Sequence, residues 1–306
     1  MWIKCGIEEV LDMAESGELG KIYLCTDLSQ LVHFYGLQHG NVKYACLKCT
    51  WKNVLSNSEL DTTDRFKKCA TRDENHWKSC NLAISQFGDM HPNPKLNYSV
   101  EREPLDPRIF NLVKLVYAPL HIKLGLTLDA YQELKSYGID GLTADWLSAC
   151  GIKPKKQWGE YFQGGQCDVL LSKCWAIENY THDYRVAKML DYLKALKDII
   201  PVINGVGQVD VDDIEDLKSM VEKVKSTYKE TTMYPARFSL KLHYLANHTI
   251  EFVETEKITP GTVGEQDGEH IHSVITRLFS GFKGKWWLGP YKRVMEEWNS
   301  RRFTIK

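Results

Sequence analysis

The chain has 306 residues, 43% hydrophobic and 26% charged, with a net charge of −1. That length can bury a sizeable core in one large or two smaller domains, and the composition is that of an ordinary globular protein. It leaves no overall field to attract nucleic acid, so a nucleic-acid surface has to be local.

Taken in chain order, residues 7–17 carry Ile7, Val10, Leu11 and Ala14 at helical spacing, with Gly17 and Gly20 as stops. Lys21 to Leu28 reads as a short buried strand, with Asp27 at its C-terminal end, the edge from which active-site groups emerge in α/β sheets. Residues 28–38 read as a helix ending near Gly40. Residues 41–106 show little period, and so long a loop is expected only where something ties it down; a metal would be such a tie. From 107 onward the pattern predicts helices at 107–117, 119–136, 143–150, 167–178, 182–199, 210–229 and 234–247. The acids Asp210, Asp212 and Asp213 open one of them, as the helix dipole favours. Gly261 to Gly268 reads as a connector, and helices at 268–280 and 290–302 close the chain. There is no internal repeat.

Nine cysteines, an odd number and mostly scattered, argue against a secreted disulfide framework and for a reducing compartment. Met1-Trp2-Ile3-Lys4 lacks the apolar run of a signal peptide, and no stretch approaches the ~20 apolar residues of a membrane span. The expectation is a nuclear or cytoplasmic protein with no membrane partner.

Two pairs of metal-type residues stand far apart. Cys46 and Cys49 form a CxxC, the knuckle spacing that gives zinc two thiolates from one turn; read alone, they are equally two free cysteines beside a turn. His243 and His248 fall within the spacing range of zinc-finger histidines, against a plainer reading as a core histidine and a helix-capping one. Together the pairs make a complete Cys2His2 set. Asp27 precedes the cysteines and Glu269 follows the histidines. Carboxylates in such positions can hold the metal pair of two-metal phosphoryl transfer, although a lone strand-end Asp is commonly a cap and a lone helical Glu commonly solvated. His272 lies one turn beyond Glu269. Cys69, His76 and Cys80 form a looser group that could hold a second ion or complete the first. The last stretch is locally basic, with Lys283, Lys285, Lys292, Arg293, Arg301 and Arg302 interleaved by Trp286, Tyr291 and Trp298. It suits DNA, or equally a solvated face over an aromatic mini-core. No Walker loop, HExxH or nucleophile elbow is present.

The run Cys25-Thr26-Asp27-Leu28, Gly36-Leu37-Gln38 and Tyr44-Ala45-Cys46-Leu47-Lys48-Cys49 resembles the second-aspartate segment of RNase H-like DDE transposases, closest to the Transib transposases and the catalytic core of the vertebrate V(D)J recombinase. Ala118-Pro119-Leu120-His121-Ile122 is similar to the Leu-His element that follows it there. Leu242 to Phe252 is similar to the segment bearing the family's two zinc histidines, and Glu265 to Arg277 to that of its third acid, with Glu269 on the catalytic Glu. His270 and His272 depart from the recombinase pattern. The resemblance implies structural Zn2+ at Cys46, Cys49, His243 and His248, and Mg2+ at Asp27 and Glu269. The family's first catalytic Asp lies well upstream of the second. The stretch ahead of Asp27 has no room for it, and Asp12, on a predicted helix, is a poor substitute.

The fold expected is mainly α with a small α/β part: a partial RNase H-like core carrying a large helical, zinc-stapled insertion. Residues 1–45 would be the remnant of the core, 46–250 the insertion, and 251–306 the C-terminal helices with the third acid and the basic aromatic tail. The function expected is that of a transposon-derived, N-terminally truncated transposase- or recombinase-like protein, inactive in DNA strand cleavage and transfer for want of the first Asp. DNA, through Lys283, Lys285, Trp286, Lys292, Arg293, Arg301 and Arg302, and a second copy in a homodimer are the partners implied. The alternatives are a non-enzymatic zinc-stabilised DNA- or protein-binding module, and a helical protein whose cysteines and histidines are incidental.

Overall fold

The computed structural model of the chain describes residues 2–26, 31, 35–37, 44–52, 65–67, 69–86, 98–100, 104, 106, 108–154, 161–180, 182–234 and 237–264. They belong to one compact unit that ends at Gly264. The expected helices at 268–280 and 290–302, and most of the one at 28–38, lie outside the described residues.

Helix α1 (Trp2–Glu15) begins earlier than its apolar period suggests and is followed by Gly17 at φ +81°. Strand β1 (Ile22–Thr26) falls within the stretch expected to be a strand. The segment expected to be irregular contains helix α2 (Glu74–Gln86). Its polar residues mask the period, but Trp77 and Cys80, one turn apart, are both buried. The predicted helix 107–117 is also corrected. Only α3 (Ile109–Leu112) is helical, and Val113–Tyr117 is strand β2, paired parallel to β1 with Ile22 opposite Val113 and Thr26 opposite Tyr117. Val113-Lys114-Leu115-Val116 is a short apolar run that periodicity alone does not assign, and a parallel partner decides it.

Pro119 then starts α4 (Pro119–Ser136): the ring presets φ at the first helical turn and holds Ala118 extended (ψ 112°), so the strand turns straight into the helix. Helices α5 (Leu142–Cys150), α6 (Gly164–Ser172) and a 3-10 turn at Cys174–Tyr180 lead to α7 (Tyr184–Asn204), capped by the Asp183 carboxylate. This helix runs through Pro201, where the sequence reading stopped short. Helix α8 (Val211–Lys229) opens with a reciprocal Asp210–Asp213 capping box. Helix α9 (Leu240–Asn247) starts at the Ser239 cap, later than expected, and α10 (Thr249–Glu256) follows directly.

The core centres on α7, which packs on α4, α6 and α8. Met189, Leu193, Leu196 and Ile199 are each fully buried, and facing them Leu217, Val221 and Val224 line one side of α8. Each such side chain contributes about 1.5–3 kcal/mol through burial. The described residues are therefore mainly helical, with one two-stranded parallel sheet at the side. No described helix is long and apolar enough to cross a membrane.

Candidate metal centre

The knuckle Cys46-Leu47-Lys48-Cys49 is an irregular turn, and its shape is fixed from outside. Cys49 bridges Thr71 in antiparallel register, with Thr50 N donating to Ala70 O (2.9 Å) and Arg72 N to Lys48 O (2.8 Å). The Arg72 side chain, only 6% exposed, then binds three carbonyls: Nε donates to Cys49 O (3.1 Å), and Nη2 to Tyr44 O (3.0 Å) and Tyr98 O (2.8 Å). Its guanidinium also stacks over the Trp77 ring. A buried cation of this kind is tolerated because Nε and Nη2 are satisfied by carbonyls and the guanidinium lies over the Trp77 ring, although Nη1 has no hydrogen-bond partner, and it ties three loops into one scaffold.

The histidines come from the joint between α9 and α10. His243 lies on α9, and His248 is at once the C-cap of α9 and the N-cap of α10, with φ −116° and ψ −15°. On a continuous helix, residues five apart point to different faces. The break after Asn247 turns His248 back toward His243, so that their Nε2 atoms are 3.2 Å apart. Cys46 Sγ is 3.3 Å from His248 Nε2, and Cys49 Sγ is 3.2 Å from His243 Nε2. All four donor atoms lie within 4.8 Å of one another, and all four residues are buried. For comparison, a tetrahedral zinc ion with Zn–N and Zn–S bonds of about 2.05 and 2.3 Å would separate nitrogen from nitrogen by about 3.3 Å and sulfur from nitrogen by about 3.6 Å. The observed spacings fit that set after a small outward adjustment.

Supporting side chains orient the imidazoles. Asn247 Nδ2 lies 2.9 Å from His243 Nδ1, and the Glu251 carboxylate 3.2 Å from His248 Nδ1. With Nε2 given to a metal, Nδ1 carries the proton. Glu251 is then an acceptor as placed, and Asn247 becomes one when its amide is turned to present Oδ1. Trp51 stacks on His243 at 4.6 Å. Burial, with His248 and Arg65 nearby, pushes His243 well below the usual imidazole range, which favours the neutral, ligating form. His248 moves the other way: burial opposes its protonation, but hydrogen bonds with Cys49 and Glu251 outweigh it. Burial likewise opposes ionisation of Cys46. The Cys49 contact, the amides of Lys48 and Cys49, and Arg72 overcome it and lower the thiol toward the thiolate that binds metal.

The cluster sits at the C-terminal end of the sheet. Tyr117, the last residue of β2, stacks on Tyr244 (3.3 Å) and reaches His248 (6.3 Å). Thr26, opposite Tyr117 across the ladder, ends β1. Asp27, Glu269 and the basic residues Lys283, Lys285, Lys292, Arg293, Arg301 and Arg302, with Trp286, lie outside the described residues. The looser group does not assemble. His76 and Cys80 pair on α2 (Nε2 to Sγ, 3.5 Å), whereas Cys69 contacts Cys49. Among the described residues the Cys2His2 set is the one cluster of metal-type side chains. Sequence reasoning missed Arg72, Trp51, Asn247 and Glu251 as supports. Asn247 and Glu251 stand four and three positions past their histidines, a helical spacing that could have shown them.

Comparison with known protein families and with curated proteins found no match.

Proposed function

We propose that Cys46, Cys49, His243 and His248 hold one structural zinc ion that staples the helical part of the chain to the sheet. The observation that carries this is the convergence of four buried N and S donors from two remote segments within 4.8 Å. Two thiolates and two neutral imidazoles complete a tetrahedral shell, so the ion would supply folding energy and leave no position open for a substrate. Purified protein is expected to contain about one zinc per chain by elemental analysis. Metal-free protein that melts at the same temperature with or without added zinc would end this reading.

We further propose that the chain is of transposon origin, similar to the DDE transposases in its order of Asp27, cysteine pair, histidine pair and Glu269, and that it handles DNA without cutting it. This part rests on the resemblance of those segments. The position of the staple near Tyr117 at the end of β2, the residue paired with Thr26 just before Asp27, agrees with it. Duplex nicking in Mg2+ or Mn2+ is expected at background, with Asp27→Ala no different from the parent. Robust cleavage that Asp27→Ala abolishes would overturn the inactive reading. If the chain shows neither cleavage nor salt-dependent binding to duplex DNA, the second reading, a zinc-stabilised protein-binding module, takes its place.

A further inference from the structure

We propose that the open cavity at the C-terminal end of α7 is a docking site for an extended peptide of a partner protein, one that carries a large apolar or aromatic side chain with lysine or arginine next to it. The proposal goes beyond the metal centre and uses none of its four donors.

The cavity has a volume of about 290 Å³. Val202 of α7, Leu217 and Met220 of α8, and Pro260 form its walls, and the loop 205–209 forms its mouth. An apolar cavity of about 150 Å³ already takes a benzene ring, so this one has room for an indole or a long aliphatic side chain. Val206, 79% exposed, carries the apolar surface out over the lip.

The charges around the mouth call for a cation. Asp213 and Asp216 line the cavity, and no lysine or arginine does. Between residues 201 and 217 the chain has Asp210, Asp212, Asp213, Glu215 and Asp216 and no basic residue. The dipole of α8 accounts for the acids of its first turn, but not for Asp216, which lies beyond it. Asp216 is exposed and makes no ion pair among the described residues. Lys218, the next cation along α8, is already held by Glu215 and Glu254. Helix α7 ends at the same mouth with no basic residue in its last turn, where the negative end of a dipole is best met by a cation. Acids and helix end together favour a positive group brought from outside.

The backbone at the mouth favours a peptide over a small organic cation. Gln208 and Ile258 face each other in an antiparallel bridge whose bonds run from Val209 N to Lys257 O (3.0 Å) and from Thr259 N to Gly207 O (3.1 Å). The N–H and C=O of Gln208 therefore point to the opposite edge, where they have no partner among the described residues. An extended segment can pair with that edge, set its large side chain in the cavity and bring its basic residue to Asp216.

The test uses the full chain and a fluorescein-labelled peptide, Gly-Lys-Trp-Lys-Gly, followed by fluorescence anisotropy at low salt. Saturable binding is expected. It should weaken at least about tenfold when serine replaces the tryptophan, and about fivefold in each of Asp216→Lys and Val206→Lys. Both positions are exposed, so the melting temperature and metal content of these variants should match the parent. Four outcomes would overturn the proposal: no saturation at millimolar peptide, equal binding of the serine peptide, parental affinity in both variants, or a dimer of this chain that Val206→Lys dissociates while no peptide binds, which would give the cavity to a second copy. Metal content measured on the same preparations tests the zinc staple separately, so either reading can fail without the other.

Discussion

Two regions of this protein reach equal burial by opposite means. In the α7–α8 pair, Leu193 or Val221 is fixed by many weak contacts, none directional, spread over neighbours on several sides. In the knuckle, Cys46 and Cys49 are just as buried, yet they are fixed by few and directional groups: one guanidinium with three carbonyl partners, one short ladder, and two imidazoles from the far side of the sequence. A packed helix pair loses stability in proportion to the atoms removed. A polar staple loses it nearly all at once, because each remaining partner is then buried and unsatisfied.

The comparison breaks most sharply at the knuckle. Cys46→Ser should cost on the order of 4 kcal/mol or more, a fraction of the ~10–16 kcal/mol that a structural zinc can deliver to folding. Zinc content per chain and the thermal midpoint should fall together. A serine variant that keeps its zinc and its melting temperature would show that the four donors do not act as a unit. Leu193→Ala, in the fully buried centre of α7, should cost about 3 kcal/mol from lost transfer energy and the cavity left behind. It should lower the denaturation midpoint while leaving zinc at parental occupancy. Loss of zinc from this variant would mean that the bundle and the staple are one cooperative unit, and the contrast drawn above would fail.

The same difference in means governs how much the sequence discloses. Periodic packing leaves a trace in the order of residues, so α4, α5 and α8 lie within a residue or so of where their apolar spacing puts them. The donor set of the metal centre is also readable, because the CxxC and the histidine pair together make a complete Cys2His2 set, although neither pair alone decides it. What brings the donors together is less visible. The kink at His248 follows from a helix ending at Asn247 and another starting at Thr249, and no Gly or Pro marks that joint. Arg72 has no motif: its role depends on carbonyls from Tyr44, Cys49 and Tyr98 that meet only after the chain has folded. Strand β2 is decided by its partner β1, and α2 by the single apolar stripe it turns inward.

The smallest effect sharpens the comparison where the two regions join. Tyr23 on β1 donates to Glu256 Oε2 at the end of α10 (2.8 Å), and Lys21 Nζ reaches the same oxygen (2.8 Å). The Glu256 side chain is 3% exposed while that of Lys21 is 61% exposed. The ion pair is therefore largely screened, and the tyrosine bond is the durable part. The Lys21 hydrogen bond is the main reason the Glu256 carboxyl sits below its usual range; burial opposes it, and Tyr23 adds to it. A carboxyl depressed in the folded state gives stability that is complete above its unfolded value of about 4.3 and is lost as pH falls through the folded value. Glu256→Gln keeps an acceptor for Tyr23 but no charge, so it should cost about 1 kcal/mol near pH 7. That gap should close only as pH falls through the depressed folded value, below which the parent is also uncharged. Acid release of zinc affects both proteins alike and drops out of the difference, so denaturation midpoints of the two, measured from pH 7 to pH 3, isolate this one contact. A gap that persists undiminished at pH 3 would mean that shape, and not charge, joins β1 to α10.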